Sequence, residues 1–168
     1  MGVHAAQRLD GFSYVGEHEY SLTLCTWARR RWFVEAACVD RVRTALLQFS
    51  SSERFDITAY CFMPDHVHAL VTGTSATSDL QQFARRWKQD TGFAHSKIAK
   101  ARLWQGGFYD HVLRADEDRQ EVIRYLLNNP IRAKLVSDLR DYPFWGSGVC
   151  TREQLIEELF DRRARRGG

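Results

Sequence analysis

A chain of 168 residues, 44% of them hydrophobic, is long enough to bury a core and short enough to form one compact domain. Its net charge of +3 is too small to mark a nucleic-acid partner by itself, and four widely spaced cysteines with no C-x-x-C pair exclude a disulfide framework and a zinc knuckle. No apolar run approaches the ~18 residues that cross a bilayer and no hydrophobic signal region opens the chain, so a soluble, cytoplasmic protein with no membrane partner is expected.

The residues through about Gly16 show no clear period and are expected to form a loosely held leading segment (1–16) before one domain (17–150). Tyr20 to Thr26 alternates and is rich in strand formers, whereas Val39, Val42, Leu46, Leu47 and Phe49 recur near helical spacing. Phe55 to Phe62 reads as a second strand, Met63-Pro64-Asp65 as a turn and His66 to Thr72 as a third strand, so a hairpin is expected there. Ser78-Asp79-Leu80-Gln81 has the spacing of a capping box, and Leu80, Phe83, Ala84 and Trp87 carry a second helix to about Lys88 or somewhat beyond. Gly106-Gly107 then breaks the chain, Phe108 to Arg114 reads as a short strand, and Asp116 is positioned to cap a helix running to Asn128. Either that helix continues into Asn129, or Asn129 caps a new short helix with Pro130 at its first position. Thr151-Arg152-Glu153-Gln154 is a further capping box, opening a C-terminal helix and basic tail (151–168) with Leu155, Ile156, Leu159 and Phe160 on one side.

Strand, helix, strand, strand, helix, strand, helix is the order of a ferredoxin-like split β-α-β sandwich, an α+β fold with a mainly antiparallel sheet. Such a fold hosts many activities, so function has to be argued from particular residues.

Alternation along a strand puts His66 and His68 on one face with Val67 on the other, and two imidazoles so placed are suited to grip one cation. Tyr125 falls roughly 130° from the centre of the apolar stripe of its helix, so its pattern is not that of a core tyrosine. A phenol ordinarily has a pKa near 10 and needs positive charge or a base to become a nucleophile near neutral pH. A cation held by His66, His68 and an amide oxygen from Asn129 answers part of that need, and Glu121, one turn before Tyr125, is a candidate base. Local basic clusters at Arg29-Arg30-Arg31, at Arg85-Arg86 with Lys88, and at Arg162-Arg163 with Arg165-Arg166 make phosphate a reasonable partner.

The run Met63-Pro64-Asp65-His66-Val67-His68, then Leu103-Trp104-Gln105, Phe108-Tyr109-Asp110, Tyr125, Asn129-Pro130-Ile131-Arg132-Ala133 and Leu135-Val136 resembles the IS200-like single-tyrosine transposases, most closely their REP-associated branch. The resemblance runs in order from about Tyr20 to Pro143 and implies the HUH endonuclease fold, which is ferredoxin-like. It implies cleavage of single-stranded DNA near a hairpin with Mg²⁺ or Mn²⁺ bound by His66 and His68, and a covalent link from Tyr125 to the 5′ phosphate. Asn129 stands where the insertion-sequence enzymes have Gln and the REP-associated branch has Asn, the position of the third ligand. REP-like palindromes dispersed in bacterial genomes are the implied partner, in a cytoplasmic, nucleoid-associated setting. Some members are monomers with the tyrosine in cis, while the insertion-sequence relatives are dimers that exchange the tyrosine helix, and the sequence fits either arrangement.

For DNA contacts the sequence offers Arg29, Arg30, Arg31, Arg85, Arg86 and Lys88, with Trp104 as a base-stacking platform. Two other readings stay open: a non-catalytic regulator that binds hairpin nucleic acid, and a metal-dependent phosphodiesterase in which the histidines and Asp65 activate water.

Overall fold

The structure, a computed structural model, describes residues 11–161. In chain order it contains β1 (Glu19–Cys25), α1 (Ala36–Glu53), β2 (Phe55–Met63), β3 (His66–Gly73), α2 (Leu80–Ala99), β4 (Tyr109–Val112), α3 (Arg119–Leu127), α4 (Asn129–Arg132), β5 (Trp145–Gly146) and α5 (Arg152–Ile156). The strands pair in the order β4-β1-β3-β2-β5, every pair antiparallel. The first four strands reproduce the split β-α-β arrangement expected from the sequence. The two-residue β5, which the pattern did not announce, adds an edge beside Tyr60 and Cys61.

Period-2 alternation divides the sheet between two cores. On one face Tyr20, Leu22 and Leu24 of β1 with Val67, Ala69 and Val71 of β3 pack against Val42 and Leu46 of α1 and Phe83 and Trp87 of α2. On the other, Leu70 of β3 with Ala59, Cys61 and Met63 of β2 meets Ile123, Leu126 and Leu127 of α3 and Leu155 and Leu159 beyond it. In β2 the alternation changes phase once: Ile57 belongs to the first core and Ala59 to the second, across a register shift between them. That bulge presents Thr58, whose Oγ1 accepts from Arg119 Nη2 at 2.8 Å, and Arg119 Nε in turn donates to Glu19 Oε1 at 2.6 Å. The first residue of α3 is thereby tied to the sheet, and Arg124 Nε ties its far end to the Leu159 carbonyl at 2.8 Å.

Several boundaries differ from those the pattern suggests, each for a local reason. α2 runs on to Ala99 because Thr91 and His95, polar by composition, occupy buried positions that continue the stripe of Phe83 and Trp87. Its cap is Asp79, whose side chain accepts from the Gln82 amide at 3.0 Å, while the Ser78 hydroxyl donates to the Arg54 carbonyl at 2.6 Å. α3 is capped by Asp118 rather than Asp116, through the Gln120 and Glu121 amides. The capping box at Thr151 and Gln154 forms as expected. Of the leading segment, residues 1–10 lie outside the described residues, whereas Tyr14 is buried and the Gly16 amide donates to the Ser78 carbonyl at 2.9 Å. The arginine-rich tail, residues 162–168, also lies outside them.

Trp87 is fully buried and its indole donates to the Val42 carbonyl at 3.0 Å, joining α2 to α1. Trp87→Ala is expected to lower stability by about 3–5 kcal/mol in urea unfolding, whereas Tyr125→Phe, on the exposed side of α3, should stay within about 0.5 kcal/mol of the parent.

Candidate active site

His66 and His68 owe their common direction to β3: they share the side of that strand on which Leu70 meets α3, while Val67 enters the other core. Their Nε2 atoms lie 3.1 Å apart with the rings at 88° to each other. Two ligands at right angles on one cation, each at an ordinary metal–nitrogen distance, would be separated by roughly 3 Å, so this spacing suits a shared metal. The other ring nitrogen of each is already engaged. His66 Nδ1 meets Asp65 Oδ1 at 2.6 Å, and His68 Nδ1 meets Thr23 Oγ1 at 2.8 Å. With both Nδ1–H groups donating to those oxygens, both Nε2 lone pairs are left for a ligand, the arrangement by which outer partners orient metal-binding histidines. Burial lowers the pKa of His66 against the opposing effect of Asp65, and it pushes that of His68 down to about 3, helped by His66, Arg132 and Arg29. Both rings are therefore neutral at physiological pH, as ligands must be.

Sequence reasoning missed Thr23, because its pairing with His68 is a matter of strand register and carries no signal in either segment alone. Asp65 also takes another place than the sequence suggested. Its second oxygen accepts from Arg29 Nε at 2.9 Å, so both carboxylate oxygens serve to hold neighbours. The loop after β1 is fastened to this pair, with the Thr26 amide on the Asp65 carbonyl at 3.0 Å and the Thr26 hydroxyl on the same carbonyl at 2.9 Å. Ala28 and Arg29 lie in the left-handed region, with φ of 53° and 54°, a local strain that these bonds hold in place.

Tyr125 stands on the exposed side of α3, 63% accessible, and its phenol oxygen accepts from Arg132 Nη2 at 2.8 Å. The guanidinium carbon sits 3.9 Å from the ring centroid, so one arginine both stacks on the phenol and reaches its oxygen. The sequence held a signal for this contact, since positions seven apart share a helical face, but the break before Pro130 obscured it. The chain pauses at Asn128, and the short α4 then starts with Asn129 and Pro130. Asn129 Nδ2 donates to the Leu126 carbonyl at 2.9 Å, which leaves Oδ1 as the donor atom for a cation. Glu121 accepts from Arg124 Nη1 at 2.6 Å.

The basic residues proposed for nucleic acid separate into different environments. Arg29 is committed to Asp65, and Arg86 forms an ion pair with Glu53 while lying over Phe49. Lys88 donates to the carbonyls of Gln105 and Gly107 and holds that loop. Arg31 and Arg85 are exposed, as is Arg30, whose guanidinium lies 6.0 Å from the Trp32 ring. Trp104 is buried, with its indole donating to Thr91 Oγ1 at 2.8 Å, so it is a core residue and no surface platform.

A family model described as IS200-like transposase matches residues 14–129. A REP-associated tyrosine transposase of Escherichia coli K12 is 28% identical over 104 residues, which are 61% of this chain and 61% of that protein. A Haemophilus influenzae protein of the same description is 24% identical over 121 residues, 63% of this chain and 66% of that one. The chain thus spans less than two thirds of the length of these curated relatives. A solved structure of a REP-associated tyrosine transposase bound to a REP hairpin aligns over 96% of this chain and 87% of its own with a TM-score of 0.69, and at 20% identity this establishes a common fold.

Mn²⁺ added to the protein is expected to bind with the loss of its free-ion electron paramagnetic resonance signal, and His66→Ala or His68→Ala should each abolish that binding. Thr23→Val, which removes only the partner of His68 Nδ1, should weaken it by about 10- to 100-fold. Because the folded-state pKa values are lowered, protons compete for these rings only at lower pH than for free imidazole. Mn²⁺ affinity should therefore fall less between pH 7 and pH 5.5 than that of an exposed histidine pair, as the same titration will read.

Proposed function

This chain belongs to the IS200-like transposase family, and on that premise we propose that it is a metal-dependent single-stranded DNA endonuclease and strand transferase. It would act beside hairpin DNA through a covalent 5′-phosphotyrosine at Tyr125. The carrying observation is the pair of neutral imidazoles converging at 3.1 Å on the sheet face that α3 covers, with Arg132 seated on the phenol that α3 presents.

In this reading His66 and His68 hold a divalent cation, Mg²⁺ or Mn²⁺, and Asn129 Oδ1 is the third protein ligand. When bound, the cation polarises the scissile phosphate and offsets charge on the departing oxygen. Tyr125 Oη attacks phosphorus as the bond to the 3′ oxygen breaks, the phenol loses its proton and the 3′ oxygen gains one. Arg132, 2.8 Å from Oη, offsets the negative charge the phenol oxygen carries between loss of its proton and formation of the new P–O bond. The phosphotyrosine keeps the energy of the broken phosphodiester, so the reverse attack by a 3′ hydroxyl rejoins strands. Glu121, one turn before Tyr125 and paired with Arg124, is the candidate acceptor for the phenol proton. Asp65 supports the transferase over a water-activating phosphodiesterase, since both its oxygens are engaged in orienting His66 and Arg29.

Hairpin DNA is the substrate we extend to this chain from the relative solved with a REP hairpin, and a cytoplasmic, nucleoid-associated setting follows from that substrate.

Incubation with pooled single-stranded hairpin DNA and Mn²⁺ should give a protein–DNA adduct that is absent with EDTA, with Tyr125→Phe and with His66→Ala. Cleavage without an adduct would instead favour the phosphodiesterase, and binding without cleavage under any metal the regulator. Arg132→Gln should slow adduct formation by about 10²- to 10³-fold, because the guanidinium that contacts the attacking oxygen is then missing. Arg132→Lys, which keeps the charge but not the stacked fork, should recover part of the rate.

A further inference from the structure

The loop after β1 closes a circuit on His66. Cys25, the last residue of β1, pairs across the ladder with His66, so the two stand in one row of the sheet. From Cys25 the chain turns out through Thr26 and returns with Arg29, whose Nη1 donates to Cys25 Sγ at 2.7 Å and whose Nε donates to Asp65 Oδ2 at 2.9 Å. Asp65 Oδ1 accepts from His66 Nδ1 at 2.6 Å. Ladder, thiol, guanidinium, carboxylate and imidazole thus form a ring of contacts that begins and ends at His66.

The backbone of the turn before His66 is held separately from this ring. The Thr26 amide and hydroxyl both donate to the Asp65 carbonyl, at 3.0 and 2.9 Å, and the Phe33 amide donates to the Pro64 carbonyl at 3.0 Å. Those bonds fix where Asp65 stands and leave open which way its carboxylate faces. The guanidinium settles the second question: with Oδ2 on Arg29, Oδ1 is turned to His66. Arg29 reaches that place through two successive left-handed residues, Ala28 at φ 53° and Arg29 itself at 54°, a conformation that residues with a Cβ leave unless contacts hold them there. His68 has no such apparatus, since Thr23 on the neighbouring strand meets its Nδ1 directly.

We infer that Arg29 is a positioning residue of the metal centre: it orients the Asp65 carboxylate so that His66 keeps its proton on Nδ1 and presents the Nε2 lone pair to the cation. This role rests on His66 and His68 being the metal ligands, as proposed above, and is independent of cleavage. An arginine that the 29–31 cluster would assign to phosphate belongs instead to the support of a histidine.

The test is a double-variant cycle on the full chain, with Mn²⁺ affinity read by electron paramagnetic resonance for the parent, Arg29→Gln, Asp65→Ala and the two combined. Arg29→Gln should weaken Mn²⁺ binding about tenfold and Asp65→Ala at least as much, and the combined variant should be no weaker than Asp65→Ala alone. Arg29→Lys should recover little of the loss, because a point charge cannot hold Asp65 and Cys25 together as the fork does. In the metal-free protein, long-range ¹H–¹⁵N spectra should show His66 passing from the Nδ1–H tautomer to a mixture on Arg29→Gln while His68 stays unchanged. Hairpin DNA affinity in EDTA, read by fluorescence anisotropy, should be the same for parent and Arg29→Gln.

Losses that add in the combined variant overturn the role, as do parental Mn²⁺ affinity with Lys at 29 and a His68 signal that shifts together with His66. Hairpin affinity that falls in EDTA with a salt slope smaller by about 0.9, with Mn²⁺ binding intact, returns Arg29 to the phosphate contacts. Mn²⁺ bound by the parent, lost with His66→Ala and untouched by Arg29→Gln sinks this inference alone. A parent that binds no Mn²⁺ sinks the metal reading and this role with it.

Discussion

Everything at this site depends on β3 lying at the centre of the sheet with both faces covered. Ladder bonds to β1 on one side and β2 on the other fix its backbone, so the direction of each side chain is set by whether its position is odd or even. Val67, Ala69 and Val71 fill one core while His66 and His68 turn to the opposite face, whose inner part is filled by Leu70. A one-residue slip would send the imidazoles into the aliphatic core, which makes register and chemistry a single requirement. The bulge in β2 completes the arrangement, since the residue it frees, Thr58, anchors the first residue of α3.

The electrostatics of the site divide labour between neutral and charged groups. Burial keeps the imidazoles unprotonated, and the arginines nearby reinforce that state while remaining cationic themselves. Arg29 is held by Asp65 and Arg132 by the phenol, so neither positive charge sits where it would compete for the Nε2 lone pairs. The result is a surface favourable to phosphate surrounding a pair of ligands favourable to a metal.

What was legible in the sequence was whatever depends on local spacing. The His66–His68 pair, the helix of Tyr125, the hairpin turn at Pro64 and the strand order follow from periods of 2 and 3.6 and from turn residues. What was not legible depends on register or on buried polarity. Thr23 meets His68 only because β1 and β3 pair in one particular register. The second half of α2 was hidden by Thr91 and His95, polar residues that the core accepts because each finds company there: Thr91 donates to the Trp87 carbonyl and accepts from Trp104, and His95 packs its ring against Trp32. Trp104, a candidate stacking platform by residue type, belongs to the core because its indole meets the Thr91 hydroxyl thirteen residues upstream in α2.

The junction at Asn128 has a mechanical consequence. Arg132 bonds both the oxygen and the backbone carbonyl of Tyr125, and Asn129 bonds the carbonyls of the same turn, so phenol, guanidinium and amide are fixed to one another by contacts within a single short stretch of chain. They form a cassette whose internal geometry owes nothing to the sheet beneath it. Whether the helix pair rests on its own sheet or on that of a second copy, the phenol arrives already furnished with its guanidinium, and what docking has to set is the placement of that unit against the histidines.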